Sequence, residues 1–292
     1  MTSLPASPVK SSTRLLRVLK EVRQAPPTAI FGMFVVFAYM FVAIFAPFIA
    51  PYGEFQVVSP EPFAPWSEVH LLGTDQLGRD ILSRLIFGAR NSIGVALVTT
   101  LLAVIVGSFF GIMAAVLRGV SDQILSRFVD SVMSIPDLIF TLMLLAIFGS
   151  SVLNLVLIIA LLDSTRIFRI SRAAAVNVVT LDFVEAAVAR GEGPVWQVVQ
   201  EILPNILPIL ISEFGMRFCF VFLSIAALSF LGLGLQPPMA EWGSMVRDSA
   251  ILINAGNITP LIPAGAIALL TVGVNFVADW LLNKSSGLSD DA

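Results

Sequence analysis

The chain has 292 residues, of which 57% are apolar and only 13% charged. Soluble domains carry about 25% charge, so this composition excludes an ordinary soluble protein and points to one that crosses a membrane several times. A net charge of −3, one Cys and one His exclude a basic nucleic-acid footprint, a disulfide framework and a Cys/His metal centre, and no cofactor or metal is expected.

Residues 1–28 read as an N-terminal tail. Met1–Thr13 is rich in Ser and Pro and is expected to be disordered. Arg14–Arg23 is basic and amphipathic and is expected to lie on an anionic lipid surface. Six runs of about 20 apolar residues then follow within 29–282: Ala29–Ile49, Ser92–Leu117, Ser131–Phe148, Val152–Arg172, Ile206–Leu231 and Leu261–Leu282. The first is too long for a typical signal-peptide core and reads as an uncleaved anchor. The expected fold class is therefore all-α, a polytopic membrane protein with six transmembrane helices.

Between spans one and two, Gly73, Thr74, Asp75 and Gly78 supply a turn. After it, Ile81, Leu82, Leu85, Ile86 and Ala89 share one helical face. Residues 70–91 are expected to form an elbow lying along the membrane, with Arg79, Arg84 and Arg90 reaching water or headgroups and Asp80 at its start. One His70 with Asp75 and Asp80 in a turn reads as structural rather than as a zinc or catalytic site. Spans three and four meet at a tight Gly149-Ser150-Ser151 turn.

The polar segment 182–205 stands out from its apolar surroundings. It reads as a helix over Asp182–Ala189, a break at Arg190–Pro194, and a second helix over Val195–Ile202 stopped by Pro204. Beyond span five, Gly232, Gly234 and Pro237-Pro238 forbid helix continuation, and Trp242 is expected at the membrane interface. Gln236–Pro260 and Tyr52–Leu72 are expected to form one outer surface, and 283–292 is a short tail.

Lys and Arg set the orientation. With the N-terminus inside, twelve fall inside (Lys10, Arg14, Arg17, Lys20, Arg23, Arg118, Arg127, Arg166, Arg169, Arg172, Arg190 and Lys284). Four fall outside (Arg79, Arg84, Arg90 and Arg247), and Arg217 lies within span five. Both termini and the 182–205 segment are thereby placed in the cytosol.

In that segment Glu185, Ala186, Ala187, Gly191, Leu203 and Pro204 stand at the spacing of the EAA loop, and the chain resembles ABC importer permeases. Ala46–Tyr52, His70–Asp80 with Ser83-Arg84 and Gly88–Arg90, and Leu228–Gly234 with Gln236–Pro238 and Trp242-Gly243 are similar, in the same order, to the second permease of dipeptide, oligopeptide and nickel importers. The resemblance implies a type I ABC importer permease fold in a bacterial inner membrane. It also implies a homologous second permease as heterodimer partner, two cytosolic ATPases that dock on the EAA loop, and a periplasmic solute-binding protein. ATPase closure would push the loop and rock spans two to five, alternating access to a path between the two permeases. The sequence departs from the family at Glu201, at Asp163-Ser164-Thr165, at Ala278 before Asp279 and in the tail. The substrate class stays open among small peptides, nickel complexes, opines and glutathione-like compounds.

No G-x-x-x-x-G-K-[ST], G-x-S-x-G or H-E-x-x-H occurs, so the chain reads as non-catalytic. Asp163 and Arg217 lie near mid-depth in spans four and five, where a lone charge costs at least about 2.5–3.5 kcal/mol. Two arrangements are open: local pairs (Glu213 with Arg217, Asp163 with Arg166), or a cross-span Asp163–Arg217 pair lining the translocation path. A proton-coupled secondary transporter built on Asp163, Glu213 and Arg217 is the alternative from another class. An intramembrane hydrolase using Asp163 or Asp137 lacks a partner motif, and a purely structural membrane subunit is the remaining reading.

Overall fold

A computed structural model describes residues 25–285; the expected N-terminal disordered and amphipathic stretches and the Gly287–Ala292 tail lie outside the described residues. Nine helices are named here: α1 (Pro27–Ile49), α2 (Ile81–Leu117), α3 (Gly119–Met133), α4 (Asp137–Phe148), α5 (Val152–Val179), α6 (Asp182–Ala189), α7 (Leu203–Phe230), α8 (Trp242–Ser249) and α9 (Leu261–Ser285). Extended structure among the described residues amounts to two isolated bridges, Val57 with Arg79 and Thr74 with Asp80.

Four helices are long and apolar enough to cross a membrane: Pro27–Ile49, Ile81–Leu117, the run Pro194–Phe230 that ends in α7, and Leu261–Lys284. On α1 the exposed residues Phe34, Phe37, Phe41, Ile44 and Phe48 recur at helical spacing, a stripe suited to lipid. The other two expected spans differ. Ser131–Phe148 is not one helix, because Pro136 cannot donate a backbone bond and biases Ile135 away from helical geometry. The chain bends by 88° between α3 and α4, and the 12 residues of α4 cover only about 18 Å of a core of about 30 Å. The 28 residues of α5 are long enough, at about 42 Å, but Asp163, Arg166, Arg169 and Arg172 interrupt their apolar character. Six uniform apolar spans are therefore not reproduced, although the all-helical fold is.

The separate elbow helix is also absent. No proline interrupts Ile81–Leu117, and it runs as one 37-residue helix. Its first turns are held inside the protein: Ile81 and Ala89 are buried.

The tightest packing joins α2 to α5. Gly107 and Gly111 present bare backbone to Ser164, Ile167, Phe168 and Ser171, the small-residue contact that lets membrane helices approach. A Cβ on Gly107 would lie 2.7 Å from Ile167 Cβ. We expect Gly107→Val to lower stability by about 1–3 kcal/mol or more, the usual cost of overpacking; a thermal-unfolding midpoint in detergent equal to that of the wild type would contradict this packing.

Trp242 is not at an interface. It is 2% exposed, seated over Gly88, with its ring edge-on to Tyr39 and Phe222 and its Nε1 donating to the Leu85 carbonyl at 2.9 Å. The neighbouring Glu241 is wholly buried and caps α8, accepting from the Gly243 and Ser244 amides at 2.9 and 2.8 Å. Burial pushes this carboxyl's pKa up while the two amides hold it back, as a carboxylate at a helix N-terminus should. Trp66 Nε1 donates to Thr259 Oγ1 at 3.2 Å, which ties the Tyr52–Leu72 segment to the Gln236–Pro260 loop.

Candidate functional site

The EAA-like segment forms a knob with a buried base and an exposed tip. The first helix occupies Asp182–Ala189, the bounds expected from the sequence. Val184 and Ala187 turn inward and are at most 1% exposed, as are Val198 and Ile202. Val184, Val198 and Ile202 pack into one apolar cluster with Ile112 and Ala115 of α2 and Ala175 and Val179 of α5. The outer face carries Glu185, Ala186, Gly191 and Pro204, with Leu203 half-buried. Ala187 therefore belongs to the base rather than to any surface a partner could touch.

The break forms because Gly191 sits at φ +82, closing α6 through Arg190 N to Ala186 O and Glu192 N to Ala187 O, both 3.1 Å. This is the left-handed helix ending that glycine favours. Arg190 lies over the Trp196 ring at 5.7 Å and reaches Glu201 at 3.5 Å. Pro204 does not stop the second helix. Residues Gln197–Ile202 form a π turn that runs straight into α7, and Pro204 sits in the first turn of α7, where its missing N–H costs least. The wider i→i+5 spacing falls where the proline follows.

The second feature is a charge cluster among α4, α5 and α7. Arg217 Nε approaches Glu213 Oε1 at 2.6 Å, one turn away on α7, and Arg217 Nη1 lies 3.6 Å from Asp163 Oδ1 on α5. The two arrangements open at the sequence level thus coexist around one guanidinium, which also lies over the Phe220 ring at 4.8 Å. These are ion contacts without hydrogen-bond alignment; Asp163 Oδ2 and Arg217 Nη1 are buried and find no hydrogen-bond partner among the described residues. Arg166 makes no ion pair with Asp163, although both line one cavity. It pairs with Asp137 across the α4–α5 boundary, a partner that sequence reasoning missed; the available signal was an acid placed directly after Pro136. A cavity of about 70 Å³ opens between these helices, lined by Asp137, Thr141, Asp163, Arg166, Phe220 and Ser224.

The third group is the loop before α2. Gly73 and Gly78 adopt φ +76 and +72. Thr74 Oγ1 accepts from the Ala64 amide at 2.8 Å. Asp80 caps α2 through the Ser83 amide at 2.8 Å and faces His70 Nδ1 at 3.4 Å. Asp75 accepts from Arg79 Nε at 2.7 Å and lies 3.3 Å from Arg84 Nε. Arg84 also donates to the carbonyls of Glu54 and Pro238, both at 3.3 Å. Arg79 and Arg84 are 6% and 4% exposed, so they fasten the loop from within and do not reach headgroups; Arg90 alone of the three is exposed. The buried guanidinium groups of Arg79 and Arg84 are compensated by Asp75 and the two carbonyls, and removing a partner would leave an uncompensated buried charge.

Comparison with known proteins gives a consistent result. The family described as "Binding-protein-dependent transport system inner membrane component" matches residues 107–285. The dipeptide transport system permease protein DppC of Escherichia coli (strain K12) is 38% identical over 259 residues, 87% of this chain and 86% of that protein. The di/tripeptide transport system permease protein DppC of Pseudomonas aeruginosa is 32% identical over 87% of this chain and 86% of its own length. The probable D,D-dipeptide transport system permease protein DdpC of Escherichia coli (strain K12) is 33% identical over the same shares.

Proposed function

The chain belongs to the family of binding-protein-dependent transport system inner membrane components, and from that premise we propose that it forms half of a translocation path for small peptides or peptide-like solutes. It is a membrane-spanning permease subunit of a binding-protein-dependent ABC importer. In our reading a homologous second permease supplies the other half of the path. Two cytosolic ATPases drive it, and a periplasmic solute-binding protein delivers the solute. Peptides are favoured over nickel complexes, opines or glutathione-like compounds because the relatives compared are named for dipeptide and di/tripeptide transport.

The observation that carries this reading is the knob. Glu185, Ala186 and Gly191 face outward at the EAA spacing, on a base that is continuous with the packing of α2 and α5. An ATPase gripping the tip would move that base as a unit. From Ala175, in the base, to Asp163 is twelve residues of α5, about 18 Å along a rigid helix. Displacement of the knob therefore reaches the charge cluster and its cavity, where Asp163, Glu213 and Arg217 would line the path. Rocking of packed helices against one another is an established form of such switching.

The reading requires the knob to face the cytosol, with both termini, and the Tyr52–Leu72 loop to face the periplasm. Ser67 and Ser121 are both exposed. A cysteine introduced at Ser67 should react with an impermeant thiol reagent added to intact cells whose outer barrier has been opened. One at Ser121 should react only after the inner membrane is permeabilised. Labelling in the reverse order would overturn the orientation and with it the docking of ATPases on the knob.

A further inference from the structure

We propose that the cavity between α2, α3, α4 and α5 holds an acyl chain of a bilayer phospholipid whose phosphate meets Arg169. The cavity follows from the bend at Pro136. α3 packs Leu125, Val129 and Met133 against Ala114 of α2 and Phe168 of α5. α4 turns away by 88° and packs Leu145 into the separate cluster of Leu155 and Ile159. Two helices leaving a corner at that angle cannot both lie flat on the α2–α5 pair, and a space of about 450 Å³ remains behind the corner.

Its walls are hydrocarbon. Val106 and Phe110 come from α2, Leu125 and Val132 from α3, Phe140 from α4 and Phe168 from α5. Ser164 and Thr165 also reach the wall, but each hydroxyl donates within α5, to the carbonyls of Leu161 at 2.7 Å and Leu162 at 2.6 Å. A buried water needs two to four polar partners, and these walls keep no free hydroxyl donor. Left empty, they would forgo dispersion contacts. An apolar cavity of about 150 Å³ takes up one benzene, so this one has room for about three such rings, on the order of eighteen carbons. Phe110, Phe128 and Leu161 line the cavity and are exposed, so it opens on the surface of the bundle.

Depth and charge select the rest of the ligand. Counted from Val152, residues 161–168 lie about 14–24 Å along α5, in the half of a core of about 30 Å that is nearer the knob. Arg169 lies about 26 Å along it, near the edge of that core. It stands one turn beyond Thr165 on the same face of α5. Its Nη1 reaches Met133 Sδ on α3 at 3.9 Å, beside the wall residue Val132, and a thioether is a weak acceptor. Arg166 and Arg172 on either side are held by Asp137 and Asp122. Arg169 is exposed and has no carboxylate partner among the described residues. A guanidinium in that state, at the end of an apolar slot, fits a phosphate through paired N–H donors with the chain lying behind it.

The test uses the assembled transporter purified in detergent, with a sub-saturating phosphatidylglycerol that carries a diazirine in one acyl chain. After irradiation the labelled peptides are identified by mass spectrometry. Peptides holding Val132 and Phe168 should be labelled, and the exposed stripe of α1 serves as the non-specific reference. Excess unlabelled phosphatidylglycerol should cut cavity labelling by about fivefold or more relative to α1, whereas diacylglycerol with the same chains and no phosphate should cut it by less than about twofold. Arg169→Gln should lower cavity labelling by roughly tenfold or more, the loss of one charge-assisted hydrogen bond, and leave α1 labelling unchanged. The competition needs no variant, so it stands even if Arg169→Gln fails to assemble. Labelling of α1 without labelling of the cavity would mean that side chains of the second permease fill the space, and overturns the proposal. Equal competition by the two lipids, or unchanged cavity labelling in an assembled Arg169→Gln transporter, overturns it as well.

Discussion

Replacing Gly191 by tryptophan should abolish receptor-dependent uptake and receptor-stimulated ATP hydrolysis while leaving the protein folded and inserted. Two facts separate folding from docking at this position. A side chain at φ +82 costs about 1–2 kcal/mol in the left-handed region, small beside a typical stability of about 5–15 kcal/mol. Apart from its two chain neighbours, no atom of the described residues lies within 4 Å of a Cβ added there, so a side chain starts out into open space from an exposed position on the knob. Gly191→Ala supplies the control. It carries the same backbone strain without the bulk and should retain most of the uptake. Normal transport by the tryptophan variant at matched expression would show that the docking surface lies elsewhere. An equally inactive alanine variant would assign the effect to the backbone.

Charge reversal in the buried cluster should be nearly as damaging. Arg217→Asp removes the ion-pair partner that Glu213 and Asp163 share among the described residues and adds a third acid. Breaking a buried pair costs about 3–5 kcal/mol, so a fall of more than about a hundredfold in uptake is expected if that penalty appears in the transport cycle. Asp163→Arg places a second cation beside Arg217 and should be comparably harmful. The double exchange restores an opposite-charge pair between α5 and α7. It also sets the new acid one turn from Glu213 and the new base near Arg166, so recovery should be partial. Damage that adds strictly, with protein levels matched, would mean that the 3.6 Å contact between Asp163 and Arg217 carries no functional coupling and that only the local Glu213–Arg217 pair matters.

What the sequence made legible was what depends on neighbours within one or two turns. The Asp182–Ala189 helix, its glycine ending and the i,i+4 relation of Glu213 to Arg217 follow from spacing alone. The buried role of Trp242 was not legible, because its seat is Gly88, far away in the chain, and the Leu85 carbonyl that accepts its hydrogen bond. The same holds for Arg84, expected at the headgroups from its charge. Asp75 and the carbonyls of Glu54 and Pro238 meet it inside. The bend after Met133 had a local cause, Pro136, but the apolar run around it reads as continuous. Hydropathy measures what a segment would bury and not whether its backbone can stay straight. Pro204 gave the opposite error, since a proline that would stop an ordinary helix is accepted at the start of α7, just after a π turn.

In the proposed reading this chain provides a path and a lever, and separate ATPases supply the energy. The decisive comparison is uptake by vesicles containing the chain alone against uptake by vesicles containing it together with the second permease, the ATPases and the receptor. The chain alone should neither bind nor hydrolyse ATP and should show no uptake under ATP or under a proton gradient. The full set should show uptake that requires both receptor and ATP. Uptake by the chain alone, driven by a proton gradient and lost on Asp163→Asn, would contradict the account and identify a secondary transporter.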